Sequence, residues 1–153
     1  MDVRHINPFI ESIQTVMPQI GFCEVKQGNL SAKNQEIFCS GVIMIVGIVG
    51  MIKGNVVYCM SHEDAKKIAA TMMMEPSIDE LDEMAKSALS ELSNMLTANA
   101  ATIFSDNGIS IDISTPTLLY GENVSVTMSS SQVLCIQVFS DEIPIEVNIS
   151  FEG

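Results

Sequence analysis

The 153-residue chain has no tryptophan, only 7 Lys and Arg against 19 Asp and Glu, and four cysteines with no C-x-x-C pair among them. Each shortage excludes something. A formal net charge of −12 leaves no basic footprint for a phosphate backbone and no complement to an anionic membrane surface. Nucleic acid and membrane are therefore not expected partners. Solvation is the ordinary use of such charge, and steering toward a basic partner surface is the other. Aromatics make up 5% of the residues, so the eleven methionines must fill core space that Phe and Trp usually fill, or line an adaptable contact surface. Cys23, Cys39, Cys59 and Cys135 are scattered, and the opening MDVRHINPFIES lacks the apolar core of a signal peptide. They read as reduced, mostly buried thiols of a cytoplasmic protein. The apolar run Val42 to Ile52 is interrupted by Gly47 and Gly50 and is too short to cross a bilayer. No P-loop, G-x-G-x-x-G or G-x-S-x-G is present, and His5 and His62 have no acidic or thiol group at ligand spacing. No metal site is expected on the chain.

What remains suits one compact domain over residues 1–153. Ile6, Phe9, Ile10, Ile13, Val16, Met17 and Ile20 recur at helical spacing and predict a helix over residues 2–20, closed by Gly21. Strands follow at about 22–27, 36–48 and 51–60, the last two joined around the glycines of VGIVGMIKGN. Ser61-x-x-Asp64 caps a short helix to about Met74, and Ser77-x-x-Glu80 opens a long one over about 78–104. Four more strands are predicted near 109–114, 123–130, 132–140 and 144–151. The alternation of Glu146 to Phe151 predicts a last strand with one face on the core and one in water. Strands grouped in runs favour an α+β fold. The expected architecture is a mostly antiparallel sheet covered on one face by two long helices and a short one. A long helix precedes each β run, which hints at a weak internal pseudo-repeat.

The long helix carries the polar residues of interest. At about 100° per residue, Leu81, Met84, Ala85, Ala88, Leu89, Leu92, Met95, Leu96 and Ile103 share one broad side. Glu91 and Asn94, three apart, are neighbours on the opposite side. Small residues ring them, namely Ser87, Ser90, Thr97, Ala98 and Ala101, where an acidic protein's solvent face ordinarily carries Glu, Lys and Gln. Such a low rim lets another backbone approach closely. Spacing alone does not separate this reading from a lightly decorated solvent face, because Glu-x-x-Asn is a weak pattern. Asp79, Glu80, Asp82 and Glu83 complement the positive helix N-terminus rather than forming a metal site.

The stretch from Leu81 to Met95, with Ser87, Glu91 and Asn94 in register, resembles the signature helix of the CheC/CheX/FliY chemotaxis phosphatases. Gly47 to Gly54 is similar to that family's glycine-marked hairpin, and Ile111 to Thr117 to its strand and proline turn. The opening Met1-Asp2-Val3 and the overall length resemble its CheX branch. Ser90 and Ser93 depart from the family's glycines, and Glu11-x-x-Gln14 stands where CheC-type members carry a second Glu-x-x-Asn. The resemblance therefore implies one site per chain. It implies a phosphatase acting on a phosphorylated CheY-like response regulator. The regulator would supply the acyl phosphate, the Mg²⁺ and a lysine, so this chain needs no cofactor of its own. Asn94 would position the hydrolytic water, Glu91 would anchor the helix on the regulator's lysine, and Ser87, Ser90 and Ala98 would contact the partner. A homodimer joined through the sheet is also implied. The alternative is a non-catalytic, CheX-like module that docks on a regulator or a flagellar component.

Overall fold

The computed structural model describes residues 3–152. Met1 and Asp2 lie outside the described residues, among them the predicted start of the first helix. A single 3₁₀ turn at Val3–His5 leads into α1 (Asn7–Ile20), with Pro8 in its first turn and Gly21 closing it in the left-handed region. Then come β1 (Val25–Lys33), β2 (Glu36–Gly50), β3 (Gly54–Met60), α2 (His62–Met72) and α3 (Glu83–Asp106). The chain finishes with β4 (Ile111–Ile113), β5 (Thr117–Thr127), β6 (Val133–Ser140) and β7 (Ile143–Phe151). The expected α+β class and antiparallel sheet are what the structure has.

The seven strands among the described residues form one sheet, ordered β1-β6-β7-β3-β2, with β4 and β5 following one another along the far side of β2. Every pairing is antiparallel. Leaving out the short β4, exchanging β1, β2, β3 for β5, β6, β7 reproduces the same order read backwards. The pseudo-repeat that was faint in sequence is thus present in the topology.

Period-two alternation divides the sheet's side chains between two cores. Val42, Met44, Val46, Val56, Tyr58, Val147 and Ile149 point toward the helices and meet Phe9, Ile13 and Met17 of α1 and Leu89, Leu92, Leu96 and Phe104 of α3. His5 stands edge-on to Phe151 at 5.6 Å and beside Phe104 at the rim of this core. Tyr58 is fully buried, which raises its phenol well above the usual range.

The other face is not left to water. Ile37, Cys39, Ile43, Val57, Cys59, Val126, Met128 and Val133 form a second, smaller core there. The first residues of β2 and the last of β5 run past the end of β3 and bend across this face. Met128 donates to the Gln35 carbonyl at 2.7 Å, and Ser129 reaches Asn55 at the opposite end of β3. The bend falls at a register shift between Cys39 and Gly41. Gly41 has φ of +110°, and a Cβ there would stand 2.3 Å from the Met60 carbonyl, so only glycine fits. This cover corrects the expectation that one face of β7 is wet. The strand is a central one between β6 and β3, and its outward Asn148 and Ser150 are fully buried rather than wet. The open edges are β1 on one side and β4 with β5 on the other.

The thiols need a correction as well. Cys39 and Cys59, brought to a Cα separation of 6.2 Å by the bend, are joined as a disulfide. Cys23 is a free exposed thiol and Cys135 a free buried one. Sequence spacing could not foresee this pairing, because the contact depends on where β2 bends. Glu146 lies beside the disulfide and pairs with Lys33 at 2.9 Å while accepting from Asn148 at 3.2 Å. Burial pushes the Glu146 carboxyl up, but Lys33 and Asn148 outweigh it and hold it below its usual value. Burial and the Glu146 carboxylate push the Cys135 thiol up. A loop of about 20 residues closed by a disulfide stabilises by about 3 kcal/mol. We expect denatured, unreduced protein to take up two alkyl groups by mass spectrometry and reduced protein four, with a lower thermal midpoint after reduction. An uptake of four without reductant would contradict the bond.

Candidate functional site

The long helix begins later than its sequence predicted. Asp82, not Ser77, is the N-cap, and its Oδ1 accepts from the Ala85 amide at 2.9 Å. Leu81, just before the cap, is already buried, so the chain enters α3 with an apolar residue held against the core and a carboxylate on the helix's first free amides. Ser61 caps α2 as expected, accepting from Asp64 at 3.0 Å.

From this start, the 3.6-residue period sets each side chain's direction. Ala85, Leu89, Leu92, Leu96, Ala100 and Phe104 are buried, while Ser87, Glu91, Asn94 and Ala98 are exposed. Two assignments to the helix faces change. Met84, placed on the core stripe, is 70% exposed in the first turn. Thr97, placed on the rim, is buried, its hydroxyl donating to the Ser93 carbonyl at 2.7 Å. Ser93 is fully buried where α3 packs on α1, near the point where the Ser12 hydroxyl of α1 donates to the Leu96 carbonyl. The two serines that replace family glycines thus lie in different places. Ser93 faces the helix–helix contact and Ser90 the open side.

Ser87, Ser90, Glu91 and Asn94 line one shallow depression of about 470 Å³. Ala98 continues the same exposed face one turn further on, outside that depression. Neither the Glu91 carboxylate nor the Asn94 amide is tied into a hydrogen bond or an ion pair among the described residues, so both are free to meet another molecule. That combination of exposure, freedom and a floor of serines is chemically specific. It offers one anionic acceptor and one amide, which both donates and accepts, on a surface low enough for a second protein.

The depression has a second wall that sequence reading missed. Glu83 and Lys86 come from the first turns of α3, and Leu118 and Tyr120 from β5. The predicted strand started only near 123, six residues after β5 begins at Thr117. Pro116 in fact stands just before β5, and Gly121 is tolerated inside it because β5 lies at the sheet's edge. The signal that could have found it was the apolar pair Leu118 and Tyr120 at alternate positions.

The comparisons with known proteins fit this architecture. A CheC-like superfamily protein from Shewanella sp. PV-4 has the same fold over the full length of both chains, with a TM-score of 0.87 and 28% identity. The CheX of a Borrelia burgdorferi CheX–CheY–BeF₃–Mg²⁺ complex matches with a TM-score of 0.82 and 28% identity, covering 97% of this chain and 98% of that one. The fold thus places the chain in the CheC-like class. The sequence pattern of the chemotaxis phosphatase CheX matches residues 42–140, and the CheY-P phosphatase CheX of Thermotoga maritima is 32% identical over 143 residues, 93% of this chain and 92% of that protein. The chain belongs to the CheX family of chemotaxis phosphatases.

Among the described residues, one group of three metal-ligand side chains comes together, Cys39, Cys59 and Glu146, on the far face of the sheet with its two sulfurs bonded to each other. No helix among the described residues is long and apolar enough to cross a membrane. If Glu91 and Asn94 serve another molecule rather than this fold, removing them should cost little stability. In urea unfolding, Glu91→Ala and Asn94→Ala are expected to stay within about 0.5 kcal/mol of the parent protein. Leu92→Ala, between them but fully buried, is expected to lose about 2–5 kcal/mol.

Proposed function

We propose that the chain, as one phosphatase domain over residues 1–153, hydrolyses the phosphoaspartate of a CheY-like response regulator. The observation that carries this is the free, exposed pair Glu91 and Asn94 on a low, serine-floored face of α3. The Thermotoga relative is named as a CheY-P phosphatase, and the Borrelia relative was crystallised with CheY, which supports the choice of partner.

In this reading α3 enters the regulator's active site. The Asn94 amide accepts a hydrogen from the attacking water through its oxygen and donates to the phosphoryl group through its nitrogen, which fixes the line of attack. The water oxygen bonds to phosphorus as the bond to the aspartate oxygen breaks, leaving a free carboxylate and inorganic phosphate. Glu91 pairs with a lysine of the regulator and sets the depth to which Asn94 penetrates. Ser87, Ser90 and Ala98 keep the contact low enough for that approach. The regulator brings the Mg²⁺, and this chain contributes positioning, which is most of what a protein adds when the transition state is loose.

A homodimer joined through the sheet is part of the proposal, with β1 the open edge that leaves the α3 site clear. A cytoplasmic location is part of it too.

The test is phosphate release from a phosphorylated CheY-type regulator. The parent protein is expected to outpace the regulator's own decay, and Asn94→Ala to lose on the order of 10²-fold or more in rate. Glu91→Ala should weaken docking as well as turnover. A parent protein that adds nothing to the intrinsic decay would refute the phosphatase reading. An Asn94→Ala variant as fast as the parent would refute the assignment of the amide.

A further inference from the structure

Resting on the phosphatase reading above, we infer that Tyr120 and Leu118 of β5, with Lys86 of α3, form a second wall of the site that grips the docked regulator and sets the affinity for it. The juxtaposition is direct. These residues line the same depression as Glu91 and Asn94, so a partner that reaches the amide must come down beside them.

The wall arises from strand geometry. Leu118 and Tyr120 lie two apart on β5, opposite Met44 and Val42 of β2, whose side chains face the helices. Both therefore point to the side where α3 lies, and Leu119 between them points away. Tyr120 is 38% exposed, a large aromatic group at the open edge of the sheet with water over part of its ring. Lys86 crosses from the helix to meet it, its Nζ 5.0 Å from the ring centroid and 3.8 Å from the Glu83 carboxylate. The ammonium thus lies over the Tyr120 ring and beside the Glu83 carboxylate, so helix and strand meet across the depression at this pair. Burial and the Glu83 carboxylate raise the Tyr120 phenol, so at neutral pH the wall offers an uncharged O–H and an aromatic face.

Tyrosine is among the residues that carry most of the energy at protein–protein contacts, because it covers much area and loses few rotamers. The matching regulator surface would present an apolar patch to Tyr120 and Leu118, and an acidic group within reach of Lys86. Because the wall stands beside the reacting groups rather than among them, it acts on docking. Tyr120 is a specificity-determining contact and Asn94 the reacting one. A second copy of the chain pairing along the β5 edge would use the same ring, and the test separates the two.

The experiment pairs a binding assay with turnover. Affinity is read for a CheY-type regulator carrying BeF₃⁻ and Mg²⁺ in place of its phosphoryl group, and kcat and KM for the phosphorylated form. Tyr120→Ala is expected to raise Kd and KM by about tenfold or more, with kcat within about twofold of the parent. Tyr120→Phe keeps the ring and the Lys86 contact and is expected to match the parent in both, while the retained kcat of Tyr120→Ala guards against a fold defect in that variant. Unchanged Kd and KM in Tyr120→Ala, or a loss confined to kcat, would overturn the inference. So would a Tyr120→Ala whose only change is a halved mass in light scattering, since the ring would then serve a second copy. A parent protein that binds the activated regulator without hastening phosphate loss would refute the phosphatase reading alone, and the Kd comparison would still decide on the wall. A parent that does not bind overturns both.

Discussion

The packing of α3 is the constraint from which the rest of this structure follows. One side of the helix is committed to the sheet and to α1 through Leu89, Leu92, Leu96 and Phe104, all fully buried or nearly so. Residues at three- and four-residue spacing share a face, so burying that set compels Glu91, Asn94 and Ala98 to point outward. The helix cannot rotate to hide them without exposing its leucines, at roughly 1.5–3 kcal/mol for each one lost to water. The polar pair is thus held in place by an apolar core it does not touch. Ser93 and the Ser12–Leu96 contact tighten the same arrangement from the α1 side, because small residues let the two helices lie close.

The sheet supplies the platform and does so symmetrically. Its strand order reads the same from either end when the two halves are exchanged, which makes α1 and α3 counterparts. Glu11 and Gln14 of α1 are exposed and carry the same three-residue spacing as Glu91 and Asn94. The halves have diverged at that point, since glutamine holds its amide one methylene further from the backbone than asparagine. They have diverged at the edges as well. The β5 edge borders the α3 depression, and the β1 edge pairs with β6 alone. The bend at Gly41 folds the ends of β2 and β5 over the outer face, so a sheet with helices on one side only still buries side chains on both.

Much of this was legible in the residues. Helical spacing marked α1 and α3, the Ser61 cap marked α2, and alternation marked the strands, because these are local consequences of backbone geometry. The face bearing Glu91 and Asn94 could be read for the same reason. Where local signals competed, the reading slipped. Ser77-x-x-Glu80 looked like a cap, yet Asp82 won because Leu81 had to reach the core first. The strand was expected only from about 123, yet β5 begins at Thr117, directly after Pro116, and carries Gly121 at the sheet's edge, so the wall formed by Leu118 and Tyr120 was overlooked.

The sequence by itself determined the helices and the order of the elements, the apolar stripe of α3 and the outward direction of Glu91 and Asn94, since each depends on a repeat along the chain. Tertiary structure alone decided which distant residues meet. It set Lys86 against Tyr120, joined Cys39 to Cys59, placed β7 in the centre of the sheet and buried Thr97 and Ser93 while leaving Ser90 open. These contacts depend on strand order and on one bend at a glycine, and no spacing along the chain encodes the distance between residues that only folding brings together.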